Sequence, residues 1–552
     1  MVSQNKIFKT MNKIGSFFGR QLSQIQEGGQ VILFQKMRKL FKLLWFSLFA
    51  PLAVYQKADW PAAYYFVLDR LLKQQEKICS NPSFVEQLAK VEKIESKIIY
   101  CIEKYIAQKP DLTNIQLLIS ASSILFNMCY SKESFERAIS ILRKIEKIRD
   151  QLMKNHQLDE IDMEFIPGTI PIGSFGVWEN LEVHIKAGML GLRTPKKLVL
   201  LLDPKSRVNN ACYLNYWRKY ITIISDPALI KILSKLQQAM TIPFTFYMSF
   251  HGKTLLSPGA LGAVRKQWSA ERHPPLLALS HEDSDRGWRC LNSFGVPKDA
   301  WFVCLHVREA GWNDNNYSAA FRNADIHTYF SAIKAVVDAG GWVIRMGDPG
   351  MTPLPPQMDR VIDYAHSDMK SDWMDVFLCA NCRFVIGTAS GLYTIAFAFG
   401  VPVVMTNCLP AEVMYQLAPN DIFISRICLS KEKNLYLSFR DFMSAPVLIA
   451  SEQHVYDRLG LKVIENTPEE IRDVVVEMLE RLNGVIQYSK EDEWLQEQFK
   501  SLAADCGELY ADKDLNVTVH TRIGRDFLRK YASLLPSSTL KNTPSEVDNA
   551  SL

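Results

Sequence analysis

The sequence predicts an α/β protein: two Rossmann-like domains in series, preceded by an all-helical region. Three observations predict it. Apolar residues make up 48% and charged residues 22% of the 552 residues, the balance of an ordinary folded protein too long for one core. From about residue 160 compact apolar runs alternate with amphipathic segments at the spacing of strand–helix units, which favours a parallel sheet. Before that point apolar residues recur at three and four, the helical period.

Residues 1–59 form a basic head. Residues 1–60 carry nine Lys and Arg against Glu27 and Asp59, a surplus of seven. The whole chain has a net charge of only +5, so the remainder is slightly acidic. A basic head on a near-neutral body points to an anionic membrane surface rather than to nucleic acid; a solubilising tail is the plain alternative. The longest apolar run, LLWFSLFAPLAVY at 43–55, holds 13 residues, short of the ~20 that span a bilayer. With QKMRKLFK before it, it suits a segment lying in the membrane interface over residues 31–56. A buried helix packed on the next domain is the other reading. The 11 cysteines are scattered, several within apolar runs, and read as reduced thiols. No secretory signal is evident. The expected location is therefore cytoplasmic, with peripheral attachment to the cytoplasmic face of the inner membrane. Cys379 and Cys382 form a lone CxxC, read as core rather than as a zinc site.

Residues 60–158 read as helices, and 121–152 resemble one hairpin of a tetratricopeptide-type (TPR-like) repeat with no clean second copy. Residues 159–298 form the first α/β domain: MEFIPGTIPIG as strand and turn, VWENLEVHIKAGMLGL as helix, KKLVLLLDP as strand, then a further helix and strand. Residues 240–298 are less regular. The second α/β domain spans 299–482. Its strands are expected at 301–308, 342–348, 360–365, 382–390 and 401–407, its helices at 326–341, 371–381, 391–400 and 467–482. Terminal helices occupy 483–536, with 520–535 as the last, and 537–552 is expected to be disordered.

Ligands in such sheets bind beyond the carboxyl ends of strands, so the polar residues there are the candidates. The first cluster is His306, Arg308 and Glu309. Arg offers a fork of donors matched to phosphate oxygens; a structural ion pair is the plain alternative. The second is Arg345, Gly347 and Asp348, where Arg345 is a second phosphate ligand and Asp348 a hydroxyl acceptor, or all three shape a loop. The third is Thr388, Ser390 and Gly391, a small-residue turn directly before a helix, suited to pyrophosphate or to close packing. Asp375 faces a base or sugar, or is an exposed helix acid. Arg322 and Asn323 are expected in a cleft wall; Asn323 and Asp325 equally suit a helix cap. HEDSD at 281–285 is read as a solvated loop rather than a metal site.

CLHVREAGW, GGWVIRMGDPGMTPLP and DWMDVFLCANCRFVIGTASGLYTIAFAFGVPVVMTN resemble a bacterial glycosyltransferase family linked to surface-carbohydrate synthesis. The resemblance spans about 160–535. More distantly, HVR, the helix acid and the small-residue turn are similar to α-1,6- and protein O-fucosyltransferases. That implies a GT-B pair of domains and inverting transfer from a nucleoside-diphosphate sugar without an essential metal. A GDP-sugar is favoured and a UDP-sugar is the alternative; the acceptor is a glycan, a lipid-linked sugar or a protein. By the same resemblance Arg308 contacts the donor phosphate, Asp375 lies near the nucleotide, and Thr388 and Ser390 bind pyrophosphate. Arg308 and the Gly391 turn would neutralise the leaving diphosphate. The general base is sought in Glu309, Asp314 and Glu179, in that order. Two other functions fit the same features: a sugar-nucleotide epimerase of similar fold, and a non-catalytic membrane-associated scaffold.

Overall fold

The computed structural model divides the chain into two units, Met1–Leu71 and Leu72–Leu552. It describes residues 132–536 of the second unit, with gaps at 173–174, 242–246, 251–252, 310–316, 410, 445, 449, 451 and 507–517, together with residues 99, 100 and 103. The basic head, the interfacial segment at 31–56, the first helix of the TPR-like hairpin and the tail from 537 lie outside the described residues. Among the described residues no helix is long and apolar enough to cross a membrane.

The protein is α/β with two parallel sheets. Helix α1 (Lys132–Asn155) is the described part of the helical region. Its Met153 packs against the buried cluster of Phe165, Val199, Leu201 and Met240, and Arg149 donates to the Thr241 carbonyl at 3.2 Å. The first sheet is three-stranded, β1 (Met163–Phe165), β2 (Lys197–Leu201) and β3 (Ile221–Ile224), in that order. Helix α2 (Trp178–Met189) joins β1 to β2, and α3 (Ala211–Trp217) joins β2 to β3. Asn210 caps α3 by accepting from the Tyr213 N–H. Trp178, Tyr213 and Trp217 bind the two helices together, with ring centroids 5.0–6.0 Å apart. Each such aromatic pair is worth about 1 kcal/mol beyond its buried area.

Residues 240–298 are more regular than the sequence suggested. Helix α4 (Pro227–Met240), the hairpin β4 (Tyr247–Phe250) and β5 (Lys253–Leu256), and helices α5 (Ser257–Ala270) and α6 (His281–Ser293) fill them. HEDSD is therefore the first turn of α6 and not a loop. Ser280 caps it, and Asp283 accepts from Ser280 and from the Tyr216 hydroxyl. Acids in a first turn favour a helix because they face its positive end.

The second sheet has seven parallel strands. These are β6 (Phe302–His306), β7 (Trp342–Arg345), β8 (Val361–Ile362), β9 (Val385–Gly387), β10 (Val403–Cys408), β11 (Ile422–Ser425) and β15 (Arg522–Ile523). Every residue of β6, β9, β10 and β11 is buried, as expected of a sheet covered on both faces. Helices α7 (Phe330–Asp338), α8 (Asp372–Asn381), α9 (Tyr393–Phe399) and α10 (Pro468–Leu482) flank it. A capping box between Thr467 and Glu470 starts α10. Between β11 and α10 lies a small antiparallel sheet of β12 (Ile427–Ser430), β13 (Leu435–Tyr436) and β14 (Leu461–Ile464). Residues 520–535 do not form one helix. They begin as β15 at the sheet edge, and a short helix, Arg525–Lys530, follows. Cys379 and Cys382 are free and buried, the second donating to the carbonyl of the first, so this CxxC belongs to the core.

The order of the large sheet is β15-β11-β10-β9-β6-β7-β8. The chain runs outward from β6 through β7 to β8, then returns to the other side of β6 as β9. The order reverses between β6 and β9, and such a reversal opens a crevice at the carboxyl ends of the two strands.

Candidate active site

Two of the three predicted clusters sit at those strand ends, and the other, Arg345, Gly347 and Asp348, lies at the end of β7 one strand over. His306 closes β6 opposite Gly387, which closes β9. Three contacts stitch the ends together. The Thr388 N–H donates to the His306 carbonyl at 3.2 Å, the Arg308 N–H donates to Thr388 Oγ1 at 3.0 Å, and Ser390 Oγ lies 3.1 Å from His306 Nδ1. His306 and Thr388 are buried. Burial, with Arg345, Arg308 and Lys370 nearby, pushes His306 down to about 4. It is therefore neutral near pH 7, a hydrogen-bonding group rather than a cation.

Arg308 and Arg322 supply the charge. Both are half-buried, and burial lowers the basicity of each. Arg308 falls to about 10, and Arg322 contributes to the fall as a like charge close by. Arg308 donates to the side-chain oxygen of Asn323, and the Ala324 N–H donates back to the Arg308 carbonyl at 2.9 Å. Arg322 acts on Arg308 as a like charge, and an anion bound at Arg308 would relieve that repulsion.

The second cluster has a different setting from the one expected. Arg345 is fully buried, with Glu309 at 3.3 Å and Asp363 at 3.6 Å from its terminal nitrogens. It clamps the loops after β6 and β8 and does not face open solvent as a phosphate ligand would. Glu309 has both oxygens engaged, one by Arg345 and the other by the Thr352 N–H at 2.6 Å. Asp348 accepts from the Gly350 N–H at 2.9 Å and closes its own turn. Gly347 has φ +151°, and a Cβ there would lie 2.5 Å from Met351 Sδ. Loop geometry accounts for this pair.

Asp375 is not an exposed helix acid. It accepts from the Tyr364 hydroxyl at 2.6 Å and from Lys370 at 3.4 Å, and burial raises its pKa. Lys370 donates to Asp375, and its charge also helps to keep His306 neutral, a role that nothing in its local sequence announced. Asp325 caps the turn at Ile326–Tyr329 by accepting from the His327 N–H.

Gly391 is where the first α/β region meets the crevice. A Cβ there would stand 2.6 Å from the Gly176 nitrogen, and Thr394 Oγ1 donates to the Phe175 carbonyl at 2.7 Å. The helix proper starts two residues later, at Tyr393. The bare glycine therefore serves a close approach of backbones.

A buried polar network forms the floor. Tyr329 Oη contacts Thr406 Oγ1 at 2.7 Å and accepts from Asn407 Nδ2 at 3.0 Å. Thr406 Oγ1 in turn donates to the Gly387 carbonyl. Asn407 holds φ +50°, and its N–H and side-chain oxygen pair with Asn466 at 2.6 and 2.9 Å. Sequence reading missed these residues. Thr406 and Asn407 near the carboxyl end of β10 were the signal, by the same rule that found His306.

Of the base candidates, Asp314 lies outside the described residues. Glu179 lies in α2, buried, with the Arg265 guanidinium at 3.4 Å. Arg265 also pairs with Glu182 at 2.8 Å and donates to the Gln416 carbonyl. Burial, reinforced by Glu182, pushes Glu179 up to about 7 against the pull of Arg265. A carboxyl whose folded pKa exceeds its ordinary 4.5 stabilises the fold fully below that value, and the contribution is lost as pH rises through about 7. Glu179→Gln is thus expected to be more stable than the parent by up to about 3 kcal/mol near pH 8, with the gap closing by about pH 4.5. Urea unfolding across that range measures it; a gap independent of pH would refute the assignment.

Among the described residues no group of three or more His, Cys, Asp or Glu is arranged to hold a metal ion. No family model matches the chain, and no curated protein matches it. Solved structures do. A glycosyl transferase family 9 protein from Veillonella parvula DSM 2008 is 11% identical, with 48% of this chain and 85% of that chain covered and a TM-score of 0.31. The iron-containing dodecameric glycosyltransferase TibC from enterotoxigenic E. coli H10407 is 15% identical over 59% of this chain and 76% of its own, at 0.32. The heptosyltransferase TibC in complex with ADP-D-beta-D-heptose is 13% identical over 58% and 76%, at 0.28. The overlap is one of partial chain path, and the function proposed for the chain rests on the site's own geometry.

Proposed function

We propose that the protein is a glycosyltransferase that moves a sugar from a nucleoside-diphosphate donor to a hydroxyl acceptor. One observation carries the reading. Where the strand order reverses between β6 and β9, Arg308 is tied to Thr388 in the turn that carries Ser390, and Arg322 adds a like charge near Arg308. Guanidiniums beside hydroxyls and small residues suit a diphosphate, which needs both charge and close approach.

The acceptor oxygen attacks the anomeric carbon, the bond from that carbon to the diphosphate oxygen breaks, and the diphosphate leaves with the electron pair. Inversion follows from this single displacement. Arg308 and Arg322 take the growing charge on the leaving group, so the proposed transfer needs no metal ion. His306, neutral and held by Ser390, presents a hydrogen-bonding nitrogen to the donor. Lys370 and Asp375 recognise the nucleotide or sugar hydroxyls. The acceptor hydroxyl gives its proton to a carboxylate. Glu309 and Glu179 are both engaged by arginines, and Asp314, outside the described residues, stays a candidate beside them. The first sheet and its helices form the acceptor side of a GT-B pair, with a glycan, lipid-linked sugar or protein entering across Gly391. A role in surface-carbohydrate synthesis, with peripheral membrane contact through residues 31–56, completes the reading.

Purified protein screened by thermal shift against GDP-, UDP-, CMP- and dTDP-sugars tests it. GDP-sugars are expected to raise the midpoint most and UDP-sugars next. A flat response to all four classes sinks the donor site.

A further inference from the structure

The small antiparallel sheet after β11 contributes one buried cation to the site. Arg426 stands between β11 and β12 and is only 4% exposed. It donates to the backbone carbonyl of Asn323. Its nearest carboxylate, Glu465 beyond β14, is 3.8 Å away and 40% exposed, and the Arg426 Nε has no hydrogen-bond partner. Glu465 also accepts from the Asp325 N–H at 3.2 Å. The segment 323–325 is thus gripped from two points, by Arg426 and by Glu465.

The same segment holds Arg308. The side-chain oxygen of Asn323 accepts from the Arg308 guanidinium, and the Ala324 N–H ties down the Arg308 carbonyl. A guanidinium has no acceptor, so the Asn323 amide must turn its oxygen to Arg308. A neutral oxygen fixes the guanidinium's direction and leaves its charge intact. A carboxylate there would cancel the charge. A buried arginine with one loose counter-ion is costly, and an apolar residue of similar size would be cheaper. Its one described hydrogen bond goes to the residue that aims Arg308.

We propose that Arg426 is a positioning residue: acting through Asn323, it holds the Arg308 guanidinium in the direction that receives the donor's diphosphate. This rests on the diphosphate reading of the site. Arg426 itself touches no substrate.

A double-mutant cycle tests it, with GDP affinity measured by calorimetry on the full chain. Arg426→Gln and Asn323→Ala are each expected to weaken GDP binding about tenfold in the parent, and by less than about twofold where Arg308 is already Ala. Asn323→Asp should also weaken binding about tenfold, although it keeps a partner for Arg308, because it neutralises the charge. A merely structural role would cost the same in both Arg308 backgrounds, and that result overturns the proposal. If Arg426→Gln fails to fold, Arg426→Met, which fills a similar volume without a donor, takes its place in the cycle. Should the parent bind neither GDP, UDP nor inorganic pyrophosphate, the diphosphate reading falls and the relay with it. Parent binding with additive losses removes the relay only.

Discussion

Arg308→Ala is expected to lower kcat/KM for sugar transfer about a thousandfold, the ~4 kcal/mol that a charge-stabilising donor supplies to a developing anion. The reason is local. Arg308 leaves the end of β6 at the sheet reversal, its backbone is fixed to Thr388, and Arg322 acts on it as a like charge. Most of the loss should fall on kcat, because the charge on the diphosphate grows as the bond to the sugar breaks. Arg308→Lys keeps the charge without the fork and should recover only part of the rate. Transfer of radiolabelled sugar from donor to acceptor measures both. Full activity in a folded Arg308→Ala protein would reject the site and favour the scaffold reading. Donor binding with interconversion of the sugar but no transfer would favour the epimerase.

Gly391→Ala is expected to cost about 3 kcal/mol of stability and most of the activity. The added Cβ would meet the Gly176 nitrogen at 2.6 Å and the Phe175 nitrogen at 3.1 Å. Both are backbone atoms, which cannot swing aside as a side chain would. Relief requires the 175–177 turn and the start of α2 to move away from the turn at 388–391, and that opens the crevice from the acceptor side. Loss of the Thr394 hydrogen bond to the Phe175 carbonyl should accompany it. Ser390→Ala, one residue earlier and free of that contact, loses the hydrogen bond to His306 and is expected to cost about 1 kcal/mol. Equal unfolding midpoints for Gly391→Ala and the parent would show that the two regions are not in close register.

Much of the large sheet was readable because its strands are continuous apolar runs bounded by polar or small residues. WFVCL, WVI and VPVVM sit where they were expected, as β6, β7 and β10. Short pieces escaped. Arg522–Ile523 is two residues long and becomes a strand only because β11 offers an open edge. The acid-rich turn at 281–285 looked like surface; its helix depends on the Ser280 cap and on burial of Gly287 and Leu291 farther along.

The sequence by itself determined which residues end the strands, because buried apolar runs must stop at polar groups that water or ligand can satisfy. That placed His306, Arg308, Arg345 and the Thr388–Gly391 turn at the carboxyl ends of strands. Tertiary structure alone decided which of them face the crevice. Arg308 and Arg345 look alike in sequence, each an arginine closing a buried strand. One lies at the reversal of strand order with Arg322 acting on it as a like charge; the other lies one strand over, fully buried between Glu309 and Asp363. Charge pairing across 36 residues, strand order, and the reach of Arg426 to Asn323 across 103 depend on contacts distant in sequence. Local pattern carries no record of such contacts, since they exist only once the sheet has closed the distance.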